Sequence, residues 1–225
     1  MFGKGWSYYR PFGDAIVDGF DLDLEVGPNT GYDHFAWRLR QLMNADTVLT
    51  GKEWILTAAP QCPLPDAMLD SALRSTSFDA VFVQFYNNPS CGANTWVLGK
   101  NQTNGDGFNF GQWDIWAKTK SRNNKIKVFL TVPMSPEAGN GYVSRTVVGK
   151  IIGDIKRYSS LGGFGAWDAS VAAQNIGYLA YAKNALNTAS IPPVKTPVPA
   201  KRDTMPEVHS TPHRHVHRKH RRGLF

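Results

Sequence analysis

The chain has 225 residues, 42% of them hydrophobic and 12% aromatic, which is enough to bury one sizeable core and excludes a collagen-like or wholly disordered chain. No run approaches the roughly 18–20 apolar residues that span a bilayer, so no membrane span is expected. The formal charge of +7 is concentrated at one end: residues 187–225 hold 8 Lys+Arg against 2 Asp+Glu, six of the seven charges, and with the body almost neutral no nucleic-acid partner is expected.

Residues 1–12 are aromatic and broken by glycine and proline, without the apolar stretch of about 7–15 residues that marks a secretory leader. A strand is expected over 15–24, followed by a helix over 32–44 whose Phe35, Leu39, Leu42 and Met43 fall near a 3.6 period. The pattern then repeats: strand 54–59 and helix 65–73, strand 80–86 and helix 113–120, strand 127–132 and helix 143–158, strand 163–167 and helix 175–186. Within 143–158, Val147, Val148, Ile151, Ile152 and Ile155 make the clearest apolar stripe.

Such alternation is the signature of α/β units around a parallel sheet. Five strands each followed by a helix suit consecutive units of a (β/α)8 barrel better than a doubly wound sheet, although periodicity alone does not separate the two. A complete barrel takes about 250 residues, so a body over 1–186 is either three units short or open. Residues 187–225 are rich in Pro, Lys, Arg and His with almost nothing apolar, and a solvated, disordered tail is expected there. Two cysteines are too few for a disulfide framework but allow one bridge, which would suit an oxidising compartment.

The most informative stretch is 18–25 (DGFDLDLE), because acidic residues are depleted in strands. Asp21, Asp23 and Glu25 follow a period of two, so an extended backbone projects all three from one face while Leu22 and Leu24 pack on the other. Neighbouring carboxylates repel, and at least one should keep a proton near neutral pH, which is how a general acid is prepared. A calcium loop or a solvated edge strand are the plainer alternatives. Calcium loops, however, use a glycine-containing turn rather than leucine neighbours, and parallel sheets rarely expose a face.

The stretch resembles the Asp-x-x-Asp-x-Asp-x-Glu signature of glycoside hydrolase family 18. Residues 58–62 (AAPQC), 83–89 (VQFYNNP) with Cys91, and 162–168 (GGFGAWD) resemble, in the same order, the class III chitinases of hevamine-like plant and fungal type. The resemblance covers residues 10–186. It implies an incomplete TIM (β/α)8 barrel holding strands four to eight and lacking strands one to three, a monomeric extracellular enzyme without metal or cofactor, and chitin or its oligosaccharides as substrate. It also implies a Cys62–Cys91 disulfide.

In that family the N-acetyl carbonyl of the sugar attacks its own anomeric carbon, an exception to the two-carboxylate scheme. By resemblance Glu25 protonates the leaving oxygen, Asp23 orients the acetamido group while sharing a proton with Asp21, and Tyr86 hydrogen-bonds the acetamido carbonyl. Gln84, which shares strand parity with Tyr86, is a candidate sugar ligand or else a hydrogen-bonded interior amide. Trp167 is expected as the stacking floor, with Gly162, Gly163 and Gly165 leaving room beside it. Asp18 has the opposite parity to Asp21 and is expected to be structural, and the triplet from Asn101 fits a glycosylation acceptor. A non-hydrolytic or inhibitory relative, an endoglycosidase acting on N-glycans and an inactive chain remain the alternatives.

Overall fold

A computed structural model describes residues 2–3 and 6–188. The segment expected as a tail lies outside the described residues from 189 onward, and Asn187 closes the last helix. Five strands, β1 (Gly19–Leu22), β2 (Ile55–Ala58), β3 (Ala80–Gln84), β4 (Lys127–Pro133) and β5 (Leu161–Trp167), pair in parallel in their sequence order. An order without reversal lacks the switch point of a doubly wound sheet. The helices are α1 (Tyr32–Thr50), α2 (Asp70–Ser75), α3 (Phe110–Thr119), α4 (Arg145–Ile155), α5 (Ala169–Gln174) and α6 (Tyr178–Asn187), with a 3-10 turn at Ala93–Thr95. None is long and apolar enough to cross a membrane.

Alternation within the strands divides the sheet into two faces. Leu22, Leu56, Ala58, Val81, Val83, Val128, Leu130 and Val132 are buried in one core with Met43 of α1, Leu73 of α2, Trp113 of α3 and Ile151 and Ile155 of α4. The residues between them, Asp21, Thr57, Gln84, Thr131 and Gly165, take the other face. Register aligns Asp21 with Thr57, Gln84 with Thr131, and Thr131 with Gly165, so each faces its neighbour across the sheet.

The ends of several elements depart from the sequence expectation. Of the strand expected over 15–24, only Gly19–Leu22 is paired, which leaves Asp23 and Glu25 just past its carboxyl end. Helix α1 runs six residues beyond its expected end and stops at Gly51, whose positive φ of 72° lets its N–H donate to the Thr47 carbonyl. The helix expected over 175–186 is α6, and a short helix, α5, that the sequence pattern did not show precedes it. Asp168 caps α5 by accepting from the Ser170 and Val171 N–H groups, and Gly177 at φ 83° separates it from α6.

Between the 3-10 turn and α3 the chain crosses residues 97–108 without regular structure, and one buried carboxylate of α4 is among the groups that hold it. Asp154 Oδ2 accepts from Trp96 Nε1 at 2.9 Å and Gln102 Nε2 at 2.8 Å, while Oδ1 pairs with Arg157 at 2.6 Å. All three partners are donors, which is what a charge at 5% exposure requires. Asp18 lies on the surface, paired with Lys52 at 3.3 Å.

Candidate active site

The carboxyl ends of β1, β3 and β5 converge on a cavity of about 300 Å³ lined by Asp21, Asp23, Gln84, Tyr86, Thr131 and Trp167 among others. Asp21 is the acid that lies within β1, and its Oδ1 accepts from Thr57 Oγ1 at 2.5 Å, directly across the β1–β2 register. Burial pushes its carboxyl above the ordinary range, opposed by that hydrogen bond. Asp23 and Glu25 follow on the same face. Gln84 Nε2 lies 3.1 Å from Asp23 Oδ1, 3.1 Å from Glu25 Oε1 and 3.0 Å from the Ala59 carbonyl. An amide nitrogen carries two N–H groups, so three acceptors share them.

Burial is the largest cause that lifts the Asp23 carboxyl to about 6, followed by the charge of Glu25, a hydrogen bond with Glu25, and the charge of Asp21. Asp21 Oδ1 accepts from Thr57, and the charge of Glu25 acts on Asp23 more strongly than that of Asp21. Tyr86 is 5% exposed, and burial, then the charges of Glu25 and Asp23, push its phenol well above the usual range. It is a neutral hydrogen-bond donor at any ordinary pH.

Trp167, 46% exposed at the end of β5, closes the other wall of the cavity. The glycines before it do not leave that wall empty. A Cβ on Gly162 or Gly163 would meet the Phe129 ring at 2.5 or 2.8 Å, and one on Gly165 would meet Thr131 Oγ1 at 2.5 Å, so Phe129 and Thr131 occupy the room. Gln84 is a hydrogen-bonded interior amide, and it also lines the cavity. Thr57 and Thr131 are additions that the sequence motifs did not single out.

Asp23 makes stability depend on pH. Its carboxyl titrates near 3.8 when unfolded and near 6 when folded, so between these values the folded chain binds more protons. Its stabilising contribution is complete below about pH 4 and is lost as pH rises to about 6. Asp23→Asn should raise the melting midpoint near pH 7 by a few degrees, about 1 kcal/mol once solvent screening of a partly open carboxyl is allowed for. The gain should vanish near pH 4, and melts showing the same difference at both pH values would contradict the raised carboxyl.

Adjacent carboxyl groups, at least two of them with a raised proton affinity, thus lie over a cavity with an aromatic wall at the carboxyl end of a parallel α/β sheet. The chain is similar in sequence to chitinases, a class III chitinase among them. Chitinase 2 of Rhizopus oligosporus is 47% identical over 180 residues, 79% of this chain and 30% of that protein. The crystal structure of ICChI chitinase from Ipomoea carnea superposes with a TM-score of 0.65 at 30% identity, covering 82% of this chain and 62% of that one. The xylanase and α-amylase inhibitor protein XAIP-II from Scadoxus multiflorus superposes with a TM-score of 0.61 at 33% identity, over 78% of this chain and 60% of its own. No family model matches the chain. The chain thus spans 30% of the Rhizopus oligosporus chitinase and about 60% of the solved chains. The two cysteines expected to pair do so, with Cys62 and Cys91 Cα atoms 5.9 Å apart.

Proposed function

We propose that this chain supplies the acid, the orienting carboxylate and two walls of the substrate cleft of a chitin-hydrolysing glycosidase. The observation that carries the reading is the Asp23–Gln84–Glu25 cluster, two carboxyls joined by one amide at the mouth of a cavity walled by Tyr86 and Trp167. Glu25 is the acid: it gives its proton to the scissile oxygen and then takes one from water. Asp23 faces the acetamido group and stabilises the positive charge that develops as the acetamido oxygen closes on the anomeric carbon, so configuration is retained. Tyr86, kept neutral, donates to that acetamido group, and Trp167 stacks on the reacting sugar.

The sheet is proposed as strands four to eight of a (β/α)8 barrel, for which β1 and β5 are the two edges where three further units would pair. Five strands of eight agree with the share of the solved chains that is covered. An extracellular location suits the disulfide. The likeness to XAIP-II favours a second reading, a xylanase or amylase inhibitor on the same scaffold.

Incubation with N-acetylglucosamine oligomers, high-mannose glycoprotein, and xylanase or α-amylase with their substrates separates the possibilities. The proposed reading expects new reducing ends from the oligomers alone, with the β-anomer formed first in proton NMR. Cleavage of the glycoprotein or inhibition of either enzyme without oligomer cleavage would replace it.

A further inference from the structure

The phenol proposed to meet the acetamido group is only as well placed as the backbone that carries it, and Tyr86 lies two residues past the end of β3. The next residue, Asn87, has φ 58°, the one positive φ at a non-glycine position among the described residues. Asparagine tolerates this left-handed conformation better than most side chains. The turn aims both polar ends of Asn87 at one partner: its N–H donates to the Asn140 carbonyl at 2.8 Å, and its Oδ1 accepts from the Asn140 N–H at 2.8 Å.

That two-point clamp holds the loop between β4 and α4 against Tyr86. A Cβ on Gly139 would stand 3.4 Å from Tyr86 Cδ2 and 3.3 Å from Asn87 Oδ1, and one on Gly141 would stand 3.6 Å from Tyr86 Cα. The loop backbone therefore runs beside the phenol ring, at a distance that a single side-chain carbon would fill in ordinary contact. On the other side, Asn88 Nδ2 bonds the Tyr86 carbonyl at 3.2 Å and Gln61 Oε1 at 3.1 Å, which fixes the peptide but not the ring.

We propose that Asn87 is a positioning residue, which sets the Tyr86 hydroxyl at the cavity by holding the Gly139–Gly141 backbone beside the phenol ring. The idea rests on the chitinase reading for its catalytic consequence, and on the geometry alone for the placement of the ring. Asn87 is itself exposed and outside the core, so replacing it should leave folding intact.

Three variants separate its two properties. Asn87→Asp keeps an acceptor oxygen and the left-handed turn, Asn87→Gly keeps the turn and loses the acceptor, and Asn87→Ala loses both. Each is compared in the full chain for kcat and KM on N-acetylglucosamine oligomers, and by fluorine NMR after 3-fluorotyrosine incorporation, with the Tyr86 signal assigned by its loss in Tyr86→Phe. A misplaced group costs about 10- to 100-fold in rate. The glycine and alanine variants should lose that much kcat with KM nearly unchanged and a shifted or broadened Tyr86 signal. The aspartate variant should keep both. A glycine variant equal to the parent, or an aspartate variant as impaired as alanine, overturns the clamp. If the parent chain hydrolyses nothing, the chitinase reading falls, and the fluorine signal still decides: an unchanged Tyr86 resonance in Asn87→Ala rejects the positioning role.

Discussion

Glu25→Gln should lower kcat on N-acetylglucosamine oligomers by about 10²–10⁴-fold, the usual range for a lost general acid, while KM changes little. The substitution is nearly isosteric. Its amide oxygen can still accept from Gln84 Nε2, now 3.1 Å from Glu25 Oε1, so the cluster should not collapse. What is lost is the proton. Asp23, although raised to about 6 and therefore partly protonated in mild acid, is one carbon shorter and bound to the same Gln84 amide, so it does not stand in for the missing acid. The measurement belongs both in the chain alone and in a chimera that adds three β/α units from a related chitinase at the sheet edges. Hydrolysis by the chimera that survives Glu25→Gln would remove Glu25 from the role of acid. Oligomer binding, followed by tryptophan fluorescence, should persist in the variant because Trp167 and Tyr86 are untouched.

The largest effect on stability is expected from the disulfide. Cys62 and Cys91 close a loop with a sequence separation of 29, worth about 3–4 kcal/mol in the chain-entropy model. Cys62→Ala with Cys91→Ala should therefore lower the melting midpoint by roughly 10 °C for a domain of this size. The sulfur atoms lie in the core, and the Cys62 carbonyl also accepts from Asn109 Nδ2 at 2.9 Å and Trp113 Nε1 at 3.0 Å, so the bridge braces the loop that leads into α3. A double variant that melts within about 2 °C of the parent would show that these hydrogen bonds, not the covalent link, hold the loop.

What could be read from the sequence was whatever a period of two or a short motif encodes. The alternation of Asp21, Asp23 and Glu25 placed three acids on one face, and Gln84 with Tyr86 followed from parity in the same way. The five parallel strands and their order match the expected alternation of elements. The misses arise where tertiary structure overrides local pattern. Asn44 and Asp46 break the apolar period of α1, yet the helix continues because Trp54 Nε1 bonds Asp46 at 2.8 Å and Met43 remains buried. Helix α5 is six residues long, too short for a period, and its capping Asp168 was read only as the last residue of the 162–168 stretch that carries the family resemblance. Thr57 faces Asp21 only once strand register is known, and the Asn87–Asn140 clamp joins residues 53 apart that no local pattern links.

The single carboxylate of Asp154 also has a meaning for how the chain comes undone. By bonding Trp96 and Gln102 from α4, it divides the irregular crossing before α3 into two short spans, each cheaper in closure entropy than one long one. The pin and the crossing therefore form one cooperative unit. Opening at Asp154 would release Trp96, Gln102 and the exposed Asn101 together, while the sheet and the carboxyl cluster stay protected. Amide exchange in residues 97–108 should thus report on one buried charge some fifty residues further along the chain.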